Sequence, residues 1–298
     1  MKSGTSPISE QISRKLADQR VLENAVFSRP SAPIVMTVAN QKGGVGKTTS
    51  VVNLAVALAQ GGLNVVVIDA DPQGNASSAL GVEHGLGTAS TYDVLIGDVQ
   101  IEDVLQRCPT SERLLVCPAT IDLSGAEIEI VDKSRREFLL ADAVDEFVYS
   151  HSEVDLVLID CPPSLGLVTL NALVASDQVL IPVQTEYYAL EGLTQLWSTI
   201  ERITSKLNPR LHVSAMLLTM ADRRTRLSEE VEAEVRTHFP ELVLESVIPR
   251  SVRVSEAPSY AQSVVSFDPQ SAGALAYRMA ALELSYRLAE STRDVTDE

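Results

Sequence analysis

The sequence predicts an α/β fold, a doubly wound sheet whose strands run mainly parallel. Two observations carry that prediction. Short apolar runs rich in β-branched residues recur along the 298-residue chain, at 34–39, 64–68, 114–119, 155–160, 178–183, 213–220 and 242–248, and helical stretches separate them. Strands that alternate with helices form parallel sheets covered on both faces, and such strands are apolar throughout because neither face meets water. Glycines and acidic residues also gather just past the ends of several strands, where an open sheet of this kind binds its ligands. With 45% apolar residues the chain can bury one large core. No break in composition divides residues 34–290, which read as one domain.

Residues 1–33 are polar and close on Ser28-Arg29-Pro30-Ser31-Ala32-Pro33, so a flexible extension is expected ahead of the first strand. Ile8, Ile12 and Leu16 recur every four residues and permit a short amphipathic helix within it. The strand at 34–39 runs into Asn40-Gln41-Lys42-Gly43-Gly44-Val45-Gly46-Lys47-Thr48-Thr49, and residues 49–59 (TSVVNLAVALA) read as a buried helix. Strand, glycine loop and helix in that order make a phosphate cradle. Glycines 43, 44 and 46 let backbone N–H groups turn toward an anion, and the helix start adds its positive dipole end. Lys47 would reach the β- and γ-phosphates of ATP, and the Thr48 hydroxyl would sit on Mg²⁺. The fold is therefore expected to be that of a P-loop NTPase. The strict pattern G-x-x-x-x-G-K-[ST] fails at its first position, where Gln41 stands, and a second lysine, Lys42, follows directly.

The strand at 64–68 ends in Asp69-Ala70-Asp71-Pro72-Gln73-Gly74-Asn75, which places two carboxylates at a strand's carboxyl end beside the cradle. Residues 155–163 (DLVLIDCPP) form an apolar strand closed by Asp160, an acid placed to hold Mg²⁺ through water. Further along, Leu193, Leu196, Trp197, Ile200, Ile203 and Leu207 fall on one helical face, so Trp197 is expected to serve the core. Cys108, Cys117 and Cys161 lack metal or redox spacing and suit reduced thiols in cytosol, and four scattered histidines predict no structural zinc. Neither a signal-like segment nor a run of about 18 apolar residues is present, so export and membrane spanning are not expected. Residues 291–298 read as an acidic tail.

With the loop KGGVGKTT the chain resembles the deviant Walker ATPases, the group that contains the ParA/Soj chromosome-partitioning proteins, MinD and the nitrogenase iron protein. The resemblance implies that Lys42 reaches across a dimer to the partner's ATP, that Asp71 positions the attacking water, and that 69–75 is a nucleotide-sensing switch. It implies that Asp69 supports the Mg²⁺ shell from outside. Two later segments, TMADRRTRLSEEV (219–231) and IPRSVRVSEAPSYAQSVVSFDPQSAGA (248–274), are similar to the chromosomal ParA/Soj branch, and the likeness spans about 34–285. On that likeness Arg224 and Arg253, with Arg250, bind double-stranded DNA without sequence preference in an ATP-dependent homodimer. Pro249 and Arg250 would also lie near the adenine. A ParB-like centromere-binding protein is the implied partner, and the implied location is cytoplasmic and nucleoid-associated. Ser251 stands where many relatives have Asn, which weakens any base-edge contact there.

The net charge of −16 opposes DNA at long range. Nine of the 24 Lys and Arg residues nevertheless fall within the 52 positions 202–253. Read without the resemblance, these could be solvated surface arginines with acidic neighbours, such as Arg226 with Glu230. Two alternatives belong to other classes. A MinD-like membrane switch needs a basic amphipathic C-terminal helix, whereas 289–298 is acidic. The other is a metabolic enzyme: an ATP-dependent ligase would not need the arginine segments, and an iron–sulfur reductase would need a cysteine placed after the 155–160 strand to share a cluster between subunits. For the reductase, Cys161 directly follows Asp160 and is expected to pack beneath the loop.

Overall fold

The computed structural model describes residues 7–186 and 189–293. Eight strands form one sheet: β1 (Ile34–Val38), β2 (Val65–Asp69), β3 (Gln106–Arg107), β4 (Leu114–Cys117), β5 (Leu156–Asp160), β6 (Gln178–Gln184), β7 (His212–Ala221) and β8 (Val243–Pro249). Their order is 3-4-2-5-1-6-7-8, and every neighbouring pair is parallel except β3–β4. The doubly wound sheet read from the sequence is therefore present. The short antiparallel edge strand β3 is an addition with no sequence signal, because a two-residue pairing has no period to detect.

The helices are α1 (Pro7–Asn24), α2 (Lys47–Gln60), α3 (Asn75–Ala79), α4 (Thr91–Ile96), α5 (Ile101–Val104), α6 (Leu123–Ile130), α7 (Leu139–Ser150), α8 (Leu167–Val174), α9 (Ala189–Lys206), α10 (Arg226–His238), α11 (Val252–Glu256), α12 (Val264–Phe267) and α13 (Ala272–Arg293). They sort by the pleat of the strands. Val35, Ile68, Ile159 and Ile181 pack against the face that carries α4 to α10, while Met36, Val67, Leu158 and Leu180 pack against α2, α12 and α13. Helix α2 lies between the sheet and α13, which explains why Val51 to Ala59 are all buried. Trp197 packs half-buried at the margin of the first layer, 5.6 Å from the ring of Phe239, and donates to Glu201.

At the β8 edge α13 supplies the missing hydrogen bonds. Glu283 accepts from the backbone N–H groups of Glu245 (2.9 Å) and Ser246 (3.2 Å), and Arg287 donates to the carbonyls of Glu241 (2.9 Å) and Leu242 (3.1 Å). These contacts satisfy part of an edge that could otherwise pair with another strand.

Residues 22–31 are more engaged than the polarity of 1–33 suggests. Leu22 is buried with Leu275 and Leu282 of α13, and the Phe27 ring covers Gly61, where an added Cβ would lie 2.4 Å from it. Ser28 N–H donates to Ser285, Ser31 N–H donates to Thr292, and Pro30 is buried. Leu16 is exposed, and the side chains of Ile8 and Ile12 lie outside the described residues. Of the acidic tail, Ser291, Thr292 and Arg293 belong to α13, and 294–298 lie outside the described residues.

Candidate nucleotide site

The carboxyl ends of β1, β2, β5, β6, β7 and β8 converge on the loop between β1 and α2. Gly44 (φ 75°) and Gly46 (φ 91°) sit in the left-handed region, which only glycine enters freely. A Cβ added at Gly43 or Gly44 would meet no protein atom within 4 Å, so the concave side of the loop is open for a ligand to approach the backbone. Neighbouring strand ends hold the loop. Asn40 donates to the Pro182 carbonyl (2.8 Å) and accepts from Lys42 N–H (3.0 Å), and the Thr219 hydroxyl donates to the Val45 carbonyl (2.8 Å). Neither Asn40 nor Thr219 was identified from the sequence, since each acts through a strand distant in the chain.

Lys47 opens α2 and is buried, and desolvation lowers its pKa against the opposing pull of Asp160, Cys161 and Asp71. Asp160 and Asp69 are register partners on β5 and β2. Asp160 is fully buried, and neither carboxylate oxygen has a hydrogen-bond partner. The Thr48 hydroxyl faces it and offsets part of a pKa rise caused by desolvation and by Asp69, but its geometry falls short of a hydrogen bond. A buried carboxylate with both oxygens free, opposite a lysine, is the donor set that a hydrated divalent cation satisfies. Thr48 and Asp160 therefore fit Mg²⁺, and the open glycine loop with Lys47 fits a polyphosphate.

Asp69 has another task. It accepts from Ser77 N–H (2.8 Å), the Ser77 hydroxyl (2.6 Å) and Asp71 N–H (3.1 Å), and burial still raises its pKa to about 6. Its oxygens are thus committed to pinning both ends of the 69–77 loop. Asp71 is buried, and accepts from Gln73 N–H (3.0 Å). Cys161 is buried beside Lys47, with its thiol pKa pushed up by desolvation.

Lys42 points elsewhere. It is one-third exposed and pairs with Glu186 just past β6 (3.4 Å), which also pairs with Arg250 (3.6 Å). Arg250 N–H donates to Ala221 (3.0 Å), so the ends of β7 and β8 meet there, with Pro249 half-buried beside them. Glu186 was missed because a single acid after a strand carries no pattern. Arg224 grips Asp222 with two donors (2.8 and 2.7 Å), and those bonds hold the carboxyl at about 2. Arg253 pairs with Glu256 (3.1 Å) and Asp268 (3.4 Å). All three arginines are exposed, and each is ion-paired to a nearby carboxylate. A cavity of about 460 Å³ lies beside the start of α2, lined in part by Thr48, Thr49, Asn75, Val254 and Pro258.

Fold and loop together define a P-loop nucleotide-binding protein with a second lysine in the loop. A family model described as an AAA domain matches residues 34–213. The chromosome partitioning protein ParA of Caulobacter vibrioides is 49% identical over 253 residues, covering 85% of this chain and 94% of that protein. The sporulation initiation inhibitor protein Soj of Bacillus subtilis is 48% identical over 251 residues, covering 84% and 98%. Among solved structures, a cobyrinic acid a,c-diamide synthase from Mycobacterium smegmatis with bound ATP analogue and magnesium superposes with a TM-score of 0.71 at 37% identity, over 84% of this chain and 93% of that one. The chain belongs to the ParA/Soj family of P-loop ATPases.

Proposed function

We propose that this protein is an ATP-dependent, dimerising DNA-binding switch for chromosome or plasmid partitioning. It hydrolyses ATP to ADP and phosphate, holds DNA non-specifically in the ATP state, and is released when a ParB-like centromere-binding partner stimulates hydrolysis. The curated relatives named for chromosome partitioning support this reading, as does the synthase crystallised with an ATP analogue and magnesium. On this reading it acts in the cytoplasm at the nucleoid and uses no membrane; among the described residues no helix is long and apolar enough to cross one.

The loop amides and Lys47 bind the β- and γ-phosphates, and Thr48 and Asp160 hold Mg²⁺, which neutralises charge on them when bound. Asp71 orients the water in line with the terminal phosphorus. Lys42 leaves Glu186 and meets the phosphates of the partner's ATP, where a cation stabilises charge that grows in the transition state. Nucleotide state and dimerisation then form one equilibrium. Arg224, Arg250 and Arg253 exchange their carboxylates for DNA phosphates, and two copies supply twice the contacts of one.

The carrying observation is the different placement of the two lysines. Lys47 is buried against the acids, whereas Lys42 is one-third exposed and its ammonium is held by an ion pair with Glu186, of a kind that contributes about 0–1 kcal/mol. Sedimentation with a slowly hydrolysed ATP analogue tests this. Wild type is expected to dimerise and Lys42→Ala to bind the analogue as a monomer; equal dimerisation of the two would overturn the assignment. The similarity to a diamide synthase gives a metabolic ligase as the second reading, at 37% identity against 48–49% for the partitioning relatives. Binding to random-sequence DNA separates the two.

A further inference from the structure

Downstream of Arg253 the chain makes a 3₁₀ turn (Ala257–Tyr260) that ends at Ala261, whose φ of 53° lies in the left-handed region that favours glycine. The turn closes through Ala261 N–H donating to the Pro258 carbonyl (3.0 Å). A non-glycine residue held there stores strain that the surrounding structure must oppose. The turn presents Tyr260 outward, 63% exposed, and stacks its ring on Phe267 with centroids 4.8 Å apart and planes 22° apart. Asp268, the next residue after Phe267, is the one that pairs with Arg253. An exposed aromatic ring and an exposed guanidinium are thus linked through the consecutive residues Phe267 and Asp268, with Val252 also exposed. The Tyr260 hydroxyl has no hydrogen-bond partner among the described residues.

Stacking on Phe267 fixes the direction of the ring without burying it. Its neighbours narrow the partner. Arg253 is offset by Glu256 and Asp268, so this patch has no excess positive charge with which to hold an anion by attraction alone. A neutral hydroxyl donor on a rigid ring adds affinity without counterion release, and tyrosine is among the side chains that donate to nucleic-acid backbones. We propose that Tyr260 is a DNA-backbone contact, its hydroxyl donating to a phosphate oxygen beside the phosphate taken by Arg253 and its ring lying against the sugar.

The proposal rests on the DNA-binding reading above, and salt dependence separates the two. Full-length wild type, Tyr260→Phe, Tyr260→Ala and Arg253→Ala are titrated onto a random-sequence duplex with a slowly hydrolysed ATP analogue, at four salt concentrations. Tyr260→Phe keeps the ring stack and removes only the hydroxyl. It is expected to weaken binding about fivefold per copy, the worth of one neutral hydrogen bond, and to leave the slope of log affinity against log salt unchanged. Tyr260→Ala is expected to lose more, again at the wild-type slope. Arg253→Ala is expected to lower the slope by about one. Analogue-dependent dimerisation and basal ATP hydrolysis should match wild type in both Tyr260 variants. Wild-type affinity in Tyr260→Phe and Tyr260→Ala, or a slope changed as in Arg253→Ala, would overturn the Tyr260 contact alone. Absence of DNA binding by wild type would overturn the DNA reading and this contact with it.

Discussion

Replacing Asp160 by asparagine should stabilise the nucleotide-free protein while abolishing its response to Mg²⁺. The side chain is 0% exposed, both oxygens lack hydrogen-bond partners, and Asp69 and Asp71 add like charge that Thr48 and Lys47 offset in part. Keeping a charge there costs more than keeping a neutral amide of the same shape, whose own unsatisfied groups cost about 1–3 kcal/mol. Allowing for the counter-charge that Lys47 loses, we expect a net gain of about 1–3 kcal/mol in the free protein. For a chain of this size that raises the melting temperature by about 2 °C per kcal/mol, or about 2–6 °C. Wild type should gain about 2.7 kcal/mol more at a hundredfold excess of Mg·ATP analogue over its Kd, whereas Asp160→Asn should gain no more than it does from the analogue in chelator. Thermal unfolding followed by circular dichroism, with and without Mg²⁺, reads both effects. A variant that melts below wild type without ligand would refute the burial argument, and one that keeps the wild-type Mg²⁺ increment would refute the metal-holding role.

Three further outcomes are expected. Asp71→Ala should bind ATP normally and persist as a DNA-bound dimer with hydrolysis reduced at least 100-fold, on the scale of removing a water-orienting group; normal phosphate release in a coupled assay would end the switch assignment. Gly46→Ala should weaken ATP binding at least tenfold by calorimetry, because its φ of 91° strains an alanine at the point where the loop enters α2; unchanged affinity would show that the loop tolerates another backbone path. The pH profile follows from Asp69, whose folded pKa of about 6 lies above the ordinary value of 3.8. Its contribution to stability is fully present below pH 4 and is lost as pH rises through 6. Chemical denaturation of the nucleotide-free protein at pH 4, 5, 6 and 7 should therefore show a declining component that Asp69→Asn removes.

The parts legible in the sequence are those in which neighbours along the chain are neighbours in space. Gly43 to Thr48 form a cradle because strand, loop and helix follow one another, and Asp71 and Asp160 reach it because strand ends of a parallel sheet point one way. Boundaries moved by a residue or so, with α2 opening at Lys47 and β2 reaching Asp69. What stayed hidden depends on pairs distant in sequence. The polar composition of residues 1–33 gave no sign that Phe27 would seat on Gly61 or Leu22 on Leu275. Asp69, expected to support the Mg²⁺ shell from outside, is engaged by Ser77 eight residues on, a contact that no local pattern announces. The basic stretch 202–253 allowed surface arginines with acidic neighbours, as Arg226 with Glu230 shows, but not which carboxylates would match Arg224, Arg250 and Arg253.

The central claim is that nucleotide state controls DNA binding through the arginine segments. Its most direct measurement is affinity for a random-sequence duplex without nucleotide, with ADP, and with a slowly hydrolysed ATP analogue, each at two salt concentrations and with Arg253→Glu alongside. The account predicts binding only with the analogue, weakened steeply by salt and lost in Arg253→Glu, which should still hydrolyse ATP. Binding of equal strength in all three states, or none in any, would contradict it.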